Sequence, residues 1–358
     1  MLSLTEEDPS VTETEDRQST LPDDAPNPSQ SSVLSPQSSP VPSGSRWPSP
    51  RPGRAMGLGL MVPISEGSAF GSTPRFADML AITRTADAVG FDAVWFADHL
   101  VFELPEGSAP RGIWECWTTM AGLAAATNGS AIQIGCLVAC TGFRNPGVIV
   151  KMAEAIDEIG QGRFILGLGA GWHEPEYRQF GFPFDHRVGR FEEAIGIIHG
   201  MLRDGRADLD GKFSRAEGML NLPRGPRAET GGPPILIGSS GPRMLGLLAR
   251  YADAWNSGWQ QSAEDVKPKL DALDAACRAA GRDPASVVRT AGANIALPGY
   301  LGVRPNAIDG DEDALADAIR AFRALGIDHF VCGLDPCTPE SVAWFAGVIA
   351  RLDKDDAG

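Results

Sequence analysis

The sequence is poor in the residues and patterns that mark several protein classes. No apolar run approaches the roughly 20 residues that a membrane-spanning helix requires. The opening residues, MLSLTEEDPS, are acidic where an export signal would be basic and then apolar, so the cytoplasm is the expected compartment. Cysteine is sparse: six residues, at 116, 136, 140, 277, 332 and 337, none in a C-x-x-C pair. In a chain of this size they read as reduced and buried rather than bridged or bound to zinc. Histidine is scarcer still, with five residues, which offers few ligands for a metal-dependent hydrolase. Positive charge is in deficit, and the formal net charge is −15. A surface of that sign repels nucleic acid and anionic lipid, so neither is an expected partner. It does not exclude an anionic cofactor, because a helix start can hold a phosphate locally.

Two kinds of sequence are present. Residues 1–55 are dense in Ser and Pro, as in SSVLSPQSSPVPSGSRWPSPRPGR, and have almost no apolar periodicity. Such a segment buries too little to offset its ordering entropy. It is expected to be a disordered extension, or no functional part of the protein, with the domain running over 56–358. From Met56 short apolar runs alternate with longer segments of helical periodicity. The predicted strands are 57–62, 91–97, 131–138, 163–169, 234–238, 252–256, 287–297 and 328–334. Most are continuously apolar, as parallel strands covered on both faces are. The segments between them carry apolar residues at three- and four-residue spacing, and several end in Gly. Eight strands alternating with eight helices predict a (β/α)8 TIM barrel, with a doubly wound open sheet as the rival. The connection 204–233 is too long for a simple loop and is expected to cap the barrel or touch substrate.

Chemistry in such barrels sits just past the strands. The second strand is followed by Asp98 and His99, an acid beside the side chain best suited to move protons near neutral pH; the plainer reading is a buried, hydrogen-bonded His. The third is followed by Cys140, Thr141, Arg144 and Asn145, of which Cys140 and Thr141 suit either packing or the lining of a flat ring. The fourth runs into LGLGAGWHEPEYRQFGF, 166–182. Gly167, Gly169 and Gly171 alternate, so they share a face; they either leave it open to a flat ligand or mark a weak strand end. A dinucleotide fingerprint fails, because Trp172 stands where a Gly is required, and a metalloprotease helix fails for want of a second His. His173 and Tyr177, four apart near a helix start, are either phosphate donors or packing residues. The fifth strand ends in Gly238, Ser239, Ser240 and Gly241, then Pro242 opens a helix, which is a phosphate cradle or an ordinary Ser-capped start.

From Met56 on, the chain resembles the bacterial luciferase-like superfamily, and within it the branch of oxidoreductases dependent on coenzyme F420. The matching stretches are GLGLMVP, GFDAVWFADHL, FRNPGVIVKMAEAIDEIGQGRFILGLGAGWHEPEYRQFGFPF, RFEEAIGII and PPILIGSSGPRMLGLLARYADAWN. They cover most of the barrel; beyond Trp259 only the general pattern matches, and residues 1–55 match nothing. The resemblance implies coenzyme F420, or alternatively FMN, at the barrel mouth. Its ring would lie by Cys140, Thr141, Gly169, Ala170, Gly171 and Trp172. Its phosphate would be held by His173, Tyr177, Gly238, Ser239, Ser240 and Gly241. His99 would act as acid or base on a small organic substrate, with Asp98 orienting it. A hydride would pass between deazaflavin and substrate; with FMN the reaction would be a monooxygenation. A non-catalytic flavin-binding barrel is a further reading, and relatives imply a possible homodimer.

Overall fold

The computed structural model describes residues 45–68, 71–103, 107–300, 304 and 306–356. Eight strands form its centre: β1 Gly57–Met61, β2 Ala93–Phe96, β3 Gln133–Cys136, β4 Phe164–Gly169, β5 Ile235–Gly238, β6 Ala254–Ser257, β7 Val288–Ala296 and β8 His329–Asp335. Each pairs in parallel with the next, and β8 returns to β1 through the register Gly57 with His329. The ring is therefore closed, as the strand and helix count predicts, and the open-sheet rival is excluded. Every residue of β4 is buried, because the ring interior takes one face and the helices the other. The Leu137–Val138 peptide just past β3 is cis.

The helices start and stop where local chemistry directs. Asn145 caps Pro146–Ile159 by accepting from the N–H groups of Gly147 and Val148, with Pro146 in the first turn. Phe76–Val89 stops at Gly90, whose φ of 106° suits a residue without a side chain. The last predicted helix is two, Pro339–Trp344 and Ala346–Asp356. A short helix, Glu174–Phe180, precedes the long Arg187–Asp204.

Two expectations need correction. The connection 204–233 does not cap the barrel. It forms an antiparallel hairpin, Arg206–Asp210 with Arg215–Leu220, laid along the outer wall. Glu193 of the helix Arg187–Asp204 accepts from the N–H groups of Lys212, Phe213 and Ser214, which fastens the hairpin tip to that helix. The second concerns the extension. Residues 1–44 lie outside the described residues, but 45–55 do not lack structure: they lie against the N-terminal ends of the strands. Composition hid this, because one Trp and three Arg among the prolines supply the anchors.

Candidate active site at the mouth of the barrel

The ends of β2, β3, β4 and β5 are neighbours in the ring and form one wall of the mouth. Asp98 follows β2 and is buried. Its carboxylate accepts two hydrogen bonds from the Arg144 guanidinium, at 2.6 and 2.9 Å, and one from the Cys140 N–H at 2.9 Å. Arg144 also donates to Glu115 at 2.8 Å. Burial opposes its charge, but Asp98 and Glu115 outweigh that and hold it above its ordinary range. Asp98 is thus a strut tying β2 to the turn after β3.

His99, the next residue, has a different partner. Its Nδ1 lies 2.6 Å from Oε1 of Glu176, and the other oxygen of that carboxylate accepts from the Leu100 N–H at 2.5 Å. The Glu176 side chain is 1% exposed and that of His99 15%. A carboxylate that takes Nδ1–H leaves Nε2 as the acceptor, and among the described residues Nε2 has no hydrogen-bond partner. The ring rests against Phe102, centroids 4.3 Å apart, and meets Trp172 edge-on at 5.6 Å. The expectation that Asp98 orients His99 is corrected: the orienting carboxylate is Glu176, because both oxygens of Asp98 are held by Arg144.

The stretch after β4 is used differently from the expectation as well. A Cβ at Gly167 would lie 1.9 Å from the Cys136 carbonyl oxygen, at Gly169 2.6 Å from Val138, and at Gly171 1.9 Å from the Tyr177 hydroxyl. These glycines let protein groups approach; they do not leave a bare shelf. The Tyr177 hydroxyl donates to the Ala170 carbonyl at 2.9 Å and sits 2.9 Å from Cys140 Sγ. Tyr177 is 1% exposed, so its hydroxyl is not directed to a phosphate here. Burial pushes the Cys140 thiol up to about 12, and burial with Cys140 beside it raises Tyr177 above its ordinary range. Thr141 donates to the Gly169 carbonyl at 3.2 Å. His173 is buried and its Nε2 accepts from the Glu103 N–H at 3.2 Å. Burial holds it below the ordinary imidazole range against the pull of Glu176, so it is neutral near pH 7. Trp172 is half exposed at the rim.

After β5 the groups are more open. Ser240 is exposed. Ser239 Oγ accepts weakly from the Gly241 N–H at 3.4 Å, while its carbonyl takes the Trp255 indole N–H at 2.8 Å. Gly241 starts the helix Pro242–Tyr251 with no side-chain cap, so the first N–H groups are free to meet an anion. The ends of β4 and β5 share Val138: Cβ atoms built at Gly169 and Gly238 both approach it. Leu137, Val138 and Ala170, just past β3 and β4, remain partly exposed and give this wall of the mouth an apolar surface. A flat ring with a phosphate fits that arrangement, with its apolar support from side chains rather than from glycine. Among the described residues no group of three or more His, Cys, Asp or Glu could hold a metal ion.

Glu176 is the candidate site residue that sequence reasoning missed. It stands inside the EPEY motif, but its partner is 77 positions away and no local spacing links them. A signal was present in its place one residue from Tyr177 on a short helix.

A closed parallel barrel with a carboxylate–histidine pair and an open helix start at its mouth defines an enzyme-type barrel. The chain belongs to the luciferase-like monooxygenase family, whose model matches residues 56–326. It is 30% identical over 261 residues to a phthiodiolone/phenolphthiodiolone dimycocerosates ketoreductase of Mycobacterium tuberculosis, a match covering 68% of this chain and 65%, just under two thirds, of that relative. It is 32% identical over 251 residues to the pyrimidine monooxygenase RutA of Stutzerimonas stutzeri, covering 65% and 66%. The fold is that of an F420-dependent secondary alcohol dehydrogenase solved with an F420–acetone adduct: TM-score 0.70, 18% identity, 83% of this chain and 99% of that one. Among the described residues no helix is long and apolar enough to cross a membrane.

Proposed function

We propose that the protein is an oxidoreductase that holds coenzyme F420 at the barrel mouth and interconverts a ketone and the corresponding secondary alcohol. The observation that carries this reading is the pair His99–Glu176, with Nδ1 and Oε1 at 2.6 Å. Coenzyme F420 supplies or takes the hydride when bound. His99 moves the proton at the substrate oxygen through Nε2, and Glu176 fixes its tautomer and steadies the charge that forms on the ring. Leu137, Val138 and Ala170 carry the ring of the cofactor, and Ser239, Ser240 and Gly241 its phosphate. Phe102 and Trp172 shield the reacting groups from water. The named ketoreductase supports the substrate class. The named pyrimidine monooxygenase favours a second reading, in which FMN occupies the same surface and the reaction is an oxygenation. The six free, buried thiols suit a reducing compartment such as the cytoplasm. A homodimer is proposed from the resemblance alone and is read by the solution mass.

The test is a fluorescence titration of the purified full chain with coenzyme F420 and with FMN. Saturable binding of coenzyme F420, tighter than FMN, is expected, and Ser240→Ala should weaken it about tenfold, the cost of one hydrogen bond to a charged group. Tighter FMN binding selects the second reading. If neither binds, the cofactor assignment fails.

A further inference from the structure

The segment Ser45–Ala55 precedes the residues that match the family model, yet it crosses the end of the barrel opposite the mouth. Trp47 enters the ring from below. It stacks on Trp95, with centroids 6.2 Å apart and planes at 19°, and meets His329 edge-on at 5.7 Å. Trp95 in turn donates its indole N–H to His329 Nε2 at 3.2 Å. Trp95 and His329 fill volume that the inward faces of Gly57, Gly59 and Gly135 vacate: Cβ atoms built there would lie within 2.6 Å of His329 or Trp95.

Three arginines fasten the segment to an acidic rim. Arg46 donates to Asp253 at 3.1 Å and to the Thr230 carbonyl at 2.6 Å. Arg51 binds Asp87 at 2.6 Å, and its backbone N–H donates to Asp92 at 2.7 Å. Arg54 binds Asp92 at 2.9 Å, Asp353 at 2.7 Å and the Gly90 carbonyl at 2.6 Å, and its side chain is 5% exposed. Those aspartates precede β2 and β6 or belong to the helices Phe76–Val89 and Ala346–Asp356, so the clamp spans the floor. A molecule of net charge −15 gains by meeting an acidic rim with arginine.

Two features make this a docked element rather than a ninth strand. The described backbone groups of Ser45–Arg54 make no ladder with a strand, so the eight-stranded ring closes without them. A cavity of about 260 Å³ also remains between Pro48, Pro50 and Pro52 on one side and Ala93, Gln133, Ile165 and His329 on the other. The contact is a set of anchors around a void. Prolines keep the segment extended before it docks and lower the ordering cost.

We propose that the floor of this barrel is a docking surface for an Arg-Trp-Pro peptide, and that its occupant is the chain's own segment Ser45–Arg54, held as a releasable plug. Trp47 is the anchor, and the arginines set its register on the aspartate rim. The plug covers Trp95 and His329 from below through Trp47.

Limited trypsin digestion of the full chain tests this, with cleavage mapped after Arg46 and Arg54. The docked plug should resist cutting at both, and Trp47→Ala should speed it by about tenfold or more, because proteolysis follows the population of the opened form. Trp47→Phe should keep most of the protection. A synthetic peptide of residues 45–55 should slow cleavage of the Trp47→Ala protein by occupying the vacated floor. Equal rates in the parent and Trp47→Ala would overturn the proposal, as would a Trp47→Ala protein cut throughout the barrel, which would make the segment an inseparable part of the core.

Discussion

His99 at the mouth and His329 at the floor of the barrel both pack against aromatic rings, and the two are set up in opposite ways. At the mouth, His99 meets a buried carboxylate at 2.6 Å and keeps part of its ring open. At the floor, His329 is enclosed, its Nε2 accepts from a neutral indole N–H, and burial pushes it down to about 4. Burial disfavours the charged ring of His329, and its Nε2 is already taken by the indole N–H, whereas the Nε2 of His99 has no hydrogen-bond partner among the described residues. One side chain is thereby equipped to exchange a proton and the other to act as a neutral packing element. The difference lies in how far each ring is enclosed and in the partner it meets.

The comparison can be broken in three places. Its largest consequence is in turnover. Under the proposed function, His99→Ala should lower ketone reduction by roughly a hundredfold to ten-thousandfold, as loss of a positioned acid–base group does. Glu176→Gln should shift the pH profile as well as kcat, since it changes the charge beside the ring. A His99→Ala protein that reduces ketones at the parent rate would falsify the assignment. The second effect is on stability. Asp98→Asn removes the bidentate partner of a buried arginine and should destabilise the fold by about 3 kcal/mol, read from the urea midpoint. If Asp98 instead served His99, the loss would fall on kcat with the midpoint unchanged.

The smallest effect is the acid response of the floor. His329 has a folded-state value near 4 against an ordinary 6.5. Above pH 6.5 it is neutral folded or unfolded and contributes no pH dependence. As pH falls from 6.5 towards 4 the unfolded chain binds the extra proton, so stability drops across that window by an amount on the order of 3 kcal/mol at most. Replacing His329 with Gln should flatten that part of the stability curve. A drop of the same size in the His329→Gln protein would show that other groups carry it.

The fold was legible because its signal is local. An apolar run such as RFILGLG is a strand covered on both faces wherever it sits, and each predicted strand overlaps an observed one. The turn GSSGP also read correctly as a helix start, since Gly241 and Pro242 act through their own backbones. The partner choices were not legible. Asp98 and Glu176 are equally acidic, and sequence adjacency pointed to Asp98. Only the packed barrel shows Arg144 holding both oxygens of Asp98 and leaves Glu176 to His99. The glycines of LGLGAG show the same limit: their spacing says that side chains are missing from one face, not what fills the space.

The sequence by itself therefore determined the alternation of strands and helices, the closed ring that eight such units form, and the strand ends at which polar residues collect, because periodicity and turn chemistry act over a few residues. Tertiary structure alone decided which carboxylate meets His99, which groups occupy the space beside the glycines, and that Trp47 seats beneath Trp95. Those outcomes rest on contacts between residues tens to hundreds of positions apart, whose energies depend on burial and distance rather than on neighbouring sequence.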